Sequence, residues 1–366
     1  MMKLGDICSF QSGGTPSRSN SKYFNGTIPW ITTVALTGGV IDENSAVEFI
    51  SDDAIRQSAA KIVKPYSIMV GTRVGVGKVA INSVAMSTSQ DVVSLIDIDE
   101  TKWNKMFLVK FIQAKNNFLN SQARGATIKG IKIEVLAELE LPDIDLPTQR
   151  WIADTLDKVA EEIGLCRKML GKLDLMVKAK FVEMFGDVVQ NSKQLPIKTL
   201  PEISENLDSR RIPITGSVRE KGIYPYYGAS GIVDYVKDYL FDEDILLISE
   251  DGANLLARST PIAFSAAGKV WVNNHAHVLR FRDRATQCYV ENFLNMIDIS
   301  NYVTGTAQPK LNQAKLNAIP IPTPELASQK QFMEFTRQIE KIKLTSCEVL
   351  DKMETERLAL MQEYFK

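Results

Sequence analysis

The segment GATIKGIKIEVLAELELPDIDLPTQR at 125–150 is matched, 180 residues further along the chain, by GTAQPKLNQAKLNAIPIPTPELASQK at 305–330. The same offset aligns 125–186 with 305–366 without a gap, and ten of these 62 positions are identical. Many other positions keep their apolar character. A match of this length indicates a chain built from two copies of one unit. The sequence therefore predicts an internal repeat.

The first copy ends in a segment that favours a long helix. No proline interrupts the chain from Thr148 to Phe185, and apolar residues recur there at alternating steps of four and three. This spacing is typical of a coiled-coil seam. The seam consists of Ile152, Leu156, Val159, Ile163, Cys166, Leu170, Leu173 and Val177.

The second copy ends in a similar segment, from about Ser328 to Phe365, in which Ser328 and Gln331 have the spacing of a capping box. Its apolar stripe is broader and comprises Phe332, Phe335, Ile339, Ile342, Val349, Leu350, Met353, Leu360 and Tyr364. Either stripe also fits the core-facing side of a helix in a compact domain. Thirty-eight helical residues are about 57 Å long, however, which exceeds most single-domain cores. We therefore expect the two long helices to pair lengthwise as a coiled coil.

A turn-rich region of about 140 residues precedes each helix, and we call the two regions the first and second heads. Both mix β-branched runs with Gly and Pro turns and add a short helical piece, which predicts an α+β fold with two globular domains. The sequences of the two heads match each other poorly, so we expect each head to recognise a different ligand. The predicted boundaries are 1–147 for the first head, 148–186 for the central helix, 187–327 for the second head and 328–366 for the C-terminal helix.

Composition is that of an ordinary globular chain, with 45% apolar and 24% charged residues, and it excludes a disordered, collagen-like or disulfide-stapled protein. The 43 basic and 44 acidic residues leave a net charge of −1, so no global excess indicates a nucleic-acid or membrane partner. No apolar run has the roughly 18 residues of a spanning helix, and the first residues lack the apolar core of a signal peptide. The four cysteines show no metal-binding spacing. We expect a cytoplasmic protein without membrane contact.

Two features that resemble functional sites each lack part of the pattern that such a site requires. The segment GTRVGVGKV at 71–79 has five residues between Gly71 and Gly77, one more than a phosphate-binding loop, and Val79 where such a loop has Ser or Thr. We interpret it as a hairpin turn. His275 and His277 have no evident third metal ligand, so we expect a packed or solvent-facing pair. No nucleophile, metalloprotease, methyltransferase or nuclease motif is present, which argues against catalysis by this chain.

The most specific segments are LGDI, GGTP and YFNGTIPWIT within 4–32, and YYGASGIVDYV, FDEDILLISEDG and VNNHAHVLRF within 226–281. Together with the repeated boundary segment before each helix, they resemble the specificity (S) subunit family of type I restriction-modification systems. The resemblance covers nearly the whole chain in the order head, helix, head, helix. The sequence departs from the family in having ARGATIKG in the first copy where the second has TGTAQPKL. The first helix also begins at LPTQR instead of the commoner Pro-Pro-Leu-x-x-Gln form.

The resemblance implies that each head is a target-recognition domain reading one half of a split double-stranded DNA sequence, with the two long antiparallel helices setting the unread spacer. Two DNA methyltransferase (modification) subunits would dock on the pseudo-two-fold scaffold and transfer a methyl group from S-adenosylmethionine to adenine N6. Restriction and translocase subunits, which use Mg and ATP, would add cleavage in complete systems. The S subunit itself would be non-catalytic and bind no cofactor.

Residues that contact DNA are sought among Arg, Lys, Asn and aromatic side chains in the loops of the heads, because Arg and Lys favour guanine and Asn favours adenine. Each is more typical of a phosphate contact or an exposed turn than of a base reader. The candidates are Arg18, Asn20, Lys22, Tyr23, Arg73, Lys78, Arg210, Arg211, Arg219, Lys221, Tyr226, Tyr227 and Arg258. A separate stretch, 101–133, has seven basic residues and no acidic one. It is either a basic patch or a solvated helix face.

Three alternatives remain open. A coiled-coil adaptor that joins proteins without a DNA role would explain the helices but not the head motifs. A DNA-modifying enzyme would need a cofactor motif that is not found. The specificity subunit of a type IIB-like system would share the DNA role and differ in its partners.

Overall fold

A computed structural model describes residues 2–125, 127–305 and 307–366. The chain divides into two compact units: Met1–Cys166 with Val349–Lys366, and Arg167–Glu348. Each division falls inside a long helix, so each unit combines one head with parts of both long helices.

Within the described residues, two sheets and five α-helices begin in the first unit, and the last of these helices continues into the second unit. Its strands are β1 (Ser9–Ser12), β2 (Ile28–Ile31), β3 (Val40–Ile41), β4 (Glu48–Ile50), β5 (Ile62–Val63), β6 (Ile68–Gly71), β7 (Val79–Asn82), β8 (Met86–Thr88) and β9 (Val92–Ile96). Its helices are α1 (Asp52–Gln57), α2 (Lys105–Ala114), α3 (Asn116–Gln122), α4 (Ile133–Ala137) and α5 (Leu146–Phe185). The sheet orders are β1-β9-β6-β7-β3 and β4-β2-β8-β5.

The second unit has the same kinds of elements. Its strands are β10 (Ile197–Lys198), β11 (Ser204–Asn206), β12 (Lys221–Gly228), β13 (Gly231–Val236), β14 (Phe241–Asp242), β15 (Ile245–Ser249), β16 (Ala263–Ala266), β17 (Lys269–Val272), β18 (Ala276–Phe281) and β19 (Ile321–Pro322). Its helices are α6 (Leu200–Ile203), α7 (Asn254–Ala257), α8 (Arg284–Met296), α9 (Gln313–Asn317) and α10 (Leu326–Tyr364), which continues into the first unit. The sheet orders are β11-β18-β15-β16, β13-β12-β17-β14 and β10-β19.

The two heads share one topology. The order β11-β18-β15-β16 repeats β1-β9-β6-β7, and β13-β12-β17-β14 repeats β4-β2-β8-β5. In the sheets β4-β2-β8-β5 and β13-β12-β17-β14 the two central strands are parallel, with Trp30 opposite Ser87 in the first head and Tyr226 opposite Trp271 in the second. The duplication therefore includes the heads, although their sequences match poorly.

Both long helices complete the core of each unit. In the first unit, Ile152 and Leu156 of α5 join Met361 of α10 and Phe365 in the core of the head. The Phe365 ring lies 5.3 Å from that of Phe107, measured between centroids. Burying aromatic and branched side chains supplies most of the favourable free energy of packing. The head and both helices therefore fold as one body within this unit.

The second unit repeats this arrangement with aromatic side chains. Phe181 and Phe185 of α5 pack with Phe332 of α10, and the Phe181 ring stacks on Tyr289 of α8 with centroids 5.3 Å apart. Further along the helices, the Lys343 ammonium lies 2.5 Å from a carboxylate oxygen of Asp174.

Within each unit the long helices run antiparallel. In the first unit, Trp151 near the start of α5 packs against Tyr364 at the end of α10. In the second, Phe181 near the end of α5 packs against Phe332 near the start of α10. The predicted antiparallel pairing is confirmed. All eight predicted seam residues of α5 are buried or partly buried.

Two details predicted for the second helix are wrong. The helix begins at Leu326, so Ser328 lies inside it, with its N–H donating to the Glu325 carbonyl at 3.0 Å, and does not form the predicted capping box. Ile342 and Val349 are exposed, and the buried positions nearby are Thr336 and Ser346. Their hydroxyls donate to carbonyls of their own helix at 2.8 Å, which makes polar residues tolerable in the seam.

A buried glutamine near the start of each long helix ties that helix to its head. The Gln149 amide accepts from the Asn104 N–H at 2.9 Å and donates to the carbonyls of Lys102 and Ile144. Gln329, its repeat partner, accepts from the Thr286 hydroxyl and donates to a backbone carbonyl, both at 2.7 Å. Since buried polar groups need partners, each amide fixes how the helix leaves the head.

We expect Gln149→Leu to lower the free energy of unfolding of the first unit by about 2 to 4 kcal/mol, because backbone groups lose buried partners. Urea unfolding followed by tryptophan fluorescence measures it, since Trp30, Trp103 and Trp151 lie in this unit. The exposed Gln362→Leu is the control. Equal midpoints for the two variants would contradict this role.

Candidate nucleic-acid interface

Four candidates of the first head lie in one turn. Arg18 forms an ion pair with Glu48, and its guanidinium lies over the Phe24 ring, 4.6 Å from the centroid. Asn20 accepts the N–H of Lys22 at 3.2 Å and begins a short 3₁₀ turn. Lys22 itself is exposed and forms no ion pair with a described residue.

Tyr23 anchors this turn. Its ring packs with Trp30 and Ile50 in a small core, and its hydroxyl donates to Gln57 at 3.3 Å. The turn is therefore anchored by Tyr23, and it exposes Lys22 to solvent with Arg18 and Tyr23 beside it.

Arg73 and Lys78 lie in the connection between β6 and β7, which pair antiparallel, so the predicted hairpin is confirmed. Gly75 and Gly77 have φ of +94° and +79°, backbone conformations that favour glycine. Both basic side chains are exposed, and neither has an ion pair within the described residues. They are available to an anionic ligand.

Three arginine candidates of the second head are already neutralised. Arg210 pairs with Glu243 at 2.7 Å, and Arg219 pairs with Asp234 at 3.2 Å while its guanidinium lies over the Tyr226 ring. Arg211 donates to Glu250 at 2.7 Å. The structure thus gives each of these arginines an intramolecular partner.

The remaining candidates of the second head divide into packed and free residues. Tyr226 is buried, and Tyr227 is half-buried against Phe264. Arg258 donates to the carbonyls of Leu294 and Ile297 at the end of α8, and burial lowers its pKa. Lys221 is exposed at the start of β12 without an ion pair to a described residue.

A buried charge cluster explains why Arg211 is held. His277, 1% exposed, faces the Asp208 carboxylate at 2.6 Å with Nδ1 and the Leu311 carbonyl at 2.8 Å with Nε2. His277 is therefore packed in the interior with a polar partner at each ring nitrogen.

The carboxylates of this cluster are held ionised. Burial alone would raise the pKa of Glu250 and of Asp208. Hydrogen bonds from Arg211 and His277 outweigh this effect and keep both pKa values below their usual range. Lys310, 3.1 Å from Glu250, completes the cluster. The two carboxylates thus offset the charges of Arg211 and Lys310.

The basic stretch 101–133 is less free than its sequence indicates. Lys102 pairs with Asp99, Lys105 pairs with Glu100, and buried Lys110 pairs with Asp157. Asp99 and Glu100 stand just before the acid-free window, so they were visible in the sequence, whereas Asp157 lies on α5. Arg124, Lys129 and Lys132 stay exposed and form no ion pair with a described residue.

The described residues provide neither a membrane-spanning helix nor a cluster of metal ligands. They contain no helix with the length and apolar character needed to cross a membrane. They also contain no group of three or more His, Cys, Asp and Glu side chains able to hold a metal ion.

The repeated fold, with basic side chains at turns of the heads, defines a modular binding scaffold. The family model described as "Type I restriction modification DNA specificity domain" matches residues 1–173 and 194–355, so the chain belongs to this family and contains two such domains. The chain is a specificity subunit of a type I restriction-modification system, and the family is non-catalytic.

Individual proteins agree with this assignment. A putative type I restriction enzyme specificity subunit of Haemophilus influenzae, S.HindORF215P, is 33% identical over 150 residues, which are 41% of this chain and 38% of that protein. The EcoprrI specificity subunit of Escherichia coli and the MjaIX specificity subunit of Methanocaldococcus jannaschii are each 23% identical over 90% of this chain, covering 84% and 88% of those proteins.

The fold has a solved counterpart. The crystal structure of a type I restriction-modification S subunit from M. genitalium matches with a TM-score of 0.59 and 15% identity, covering all of this chain and 95% of that one. At this identity the match supports the fold alone.

We expect Arg211→Met to destabilise the second unit by about 3 kcal/mol, because it leaves Glu250 and Asp208 without their guanidinium. Lys221→Met removes the same charge from an exposed site and should leave stability unchanged while weakening DNA binding. Hydrogen exchange of Ala276–Phe281 and a DNA titration separate the two effects. Equal protection of that strand in both variants would contradict the assignment.

Proposed function

We propose that the chain reads a bipartite double-stranded DNA target, with one half-site for each head. The single observation that carries this proposal is the recurrence of one head topology on surfaces with different charge. The first head carries free cations at Lys22, Arg73 and Lys78, whereas most candidate cations of the second head are paired with acids. Two modules with one fold and unlike surfaces are suited to two unlike half-sites.

In this proposal 1–147 and 187–327 are the recognition domains, and 148–186 and 328–366 are the helices that set the unread spacer. The thirteen candidate side chains divide by their surroundings. We propose that Lys22, Arg73, Lys78 and Lys221 contact DNA directly, with Arg18, Asn20 and Tyr23 beside Lys22. Arg210, Arg211, Arg219, Tyr226, Tyr227 and Arg258 would support the recognition surface of the second head.

The repeated helices suggest the partners. Each unit pairs a part of α5 with a part of α10, so the same kind of surface is offered twice, as repeated elements do in symmetric assemblies. We propose that two DNA methyltransferase (modification) subunits dock there, in the cytoplasm, and methylate adenine N6 with S-adenosylmethionine bound to them. Restriction and translocase subunits with Mg and ATP would join in a complete system. An adaptor without a DNA role would not account for the match of both domains to a DNA specificity model.

Exchanging 1–147 for the first head of another family member should change one half-site and leave the other intact, because base contacts are local to each head. Methylome sequencing of cells carrying the exchanged chain and its methyltransferase measures this. Loss of both half-sites in a complex that still assembles would contradict modular reading.

We expect the isolated chain to bind DNA weakly, because affinity for the duplex depends on neutralised phosphates and the net charge is −1. Titration of a labelled duplex at several salt concentrations, with and without the methyltransferase, tests this expectation. Adding the partner should raise the affinity at least tenfold. Nanomolar binding by the chain alone at physiological salt would overturn it.

A further inference from the structure

A small backbone ladder in the first unit is centred on Gly130. Gly130 pairs with Arg124 on one side, through N–H to carbonyl hydrogen bonds of 2.9 and 3.0 Å, and with Arg73 on the other. The next residue, Ile131, donates to the Thr72 carbonyl at 2.8 Å. The ladder therefore fixes the two arginines on either side of one glycine.

Both arginines project to the same face, because directly opposed residues of antiparallel strands share a face. Neighbouring strands lie about 4.8 Å apart, so the two arginine backbones are roughly 10 Å apart across Gly130. A Cβ added at Gly130 would lie 2.8 Å from Cγ of Arg73 and 3.0 Å from the Thr72 carbonyl oxygen. The glycine thus keeps the space between the guanidiniums open.

Neither guanidinium has an acceptor among the described residues, and both arginines are exposed. Two like charges held on one face without a carboxylate form a receptor for an anion. Guanidinium groups bind phosphate oxygens with two parallel hydrogen bonds, a geometry that a lysine cannot supply.

The second unit contains the same ladder, but its charged residues have intramolecular partners. Lys310 pairs with Thr304 on one side and with Asp251 on the other, and Leu311 donates to the Glu250 carbonyl at 2.8 Å. Lys310 stands where the first unit has Gly130, and its ammonium lies 3.1 Å from Glu250. The flanking Asp251 lies 2.7 Å from His275. Among its described residues, this copy offers no comparable anion receptor.

We propose that Arg73 and Arg124 form a clamp for phosphate groups of the DNA backbone, which the second unit lacks at the matching place. This inference rests on the proposed function and adds that the first unit binds the DNA backbone more strongly than the second. DNA is favoured over an acidic protein because Arg73 lies in the same β6–β7 connection as Lys78, which the proposed function also assigns to DNA contact.

The test uses the full chain assembled with its methyltransferase and a labelled duplex carrying the sequence that methylome sequencing defines. Binding constants are measured from about 50 to 300 mM salt. Each phosphate contact contributes about 0.9 to the slope of log K against log salt, so Arg73→Gln with Arg124→Gln should reduce the slope by about 1.8. The methylated sequence should stay unchanged, because phosphate contacts carry no base information.

Lys129→Gln is the matched control. It removes one charge next to Gly130, and strand alternation places its side chain on the opposite face. It should change the slope far less than Arg124→Gln does. Thermal unfolding of the double variant should match that of the wild type, because both arginines are exposed and unpaired.

Several outcomes overturn the clamp. One is an unchanged slope in the double variant while the wild-type complex still prefers its target. Another is a slope change per charge for Lys129→Gln equal to that of the arginines. A third is loss of methyltransferase binding with DNA affinity unchanged, which would assign the pair to an acidic protein surface. A wild-type complex that does not distinguish target from unrelated duplex would instead refute the proposed function.

Discussion

The burial of helix residues in the core of each head is the interaction on which the structure depends. Phe365 and Met361 close the first core together with Ile152, and Phe181 with Phe332 closes the second. Each core draws on both long helices, so a head cannot reach its packed state unless α5 and α10 lie side by side. Recognition surface and scaffold are therefore one folding unit, and a substitution in the seam reaches the head through its core.

The helices and the duplication were predictable because their signals are local or periodic. The 180-residue offset corresponds to two long helices whose first residues are 180 positions apart, and the four-three spacing of α5 lies within one continuous helix. The seam of α10 is harder to predict because two of its buried positions hold polar residues, Thr336 and Ser346. Their hydroxyls donate to carbonyls of the same helix, so these side chains can be buried. The sequence does indicate where α5 begins. Asp145 precedes Leu146-Pro147 at the start of this helix and accepts the Thr148 N–H at 2.9 Å.

The shared topology of the heads and the state of the candidate cations were beyond the sequence. The matched strands have variable offsets, 196 residues from Trp30 to Tyr226 but 184 from Ser87 to Trp271, so an ungapped comparison cannot align them. Residue type alone marks these arginines as candidates, whereas the carboxylates that accept their hydrogen bonds lie 15 to 39 residues away on other elements. Pairing across strands thus decides which cations are free to meet DNA.

Sequencing of DNA methylated by the complex of this chain with its modification subunit tests the central claim most directly. Two heads with one fold and unlike surfaces predict a motif of two different short specified segments, separated by a constant number of unspecified base pairs. A single continuous recognition sequence, or a gap that varies from site to site, would contradict the account.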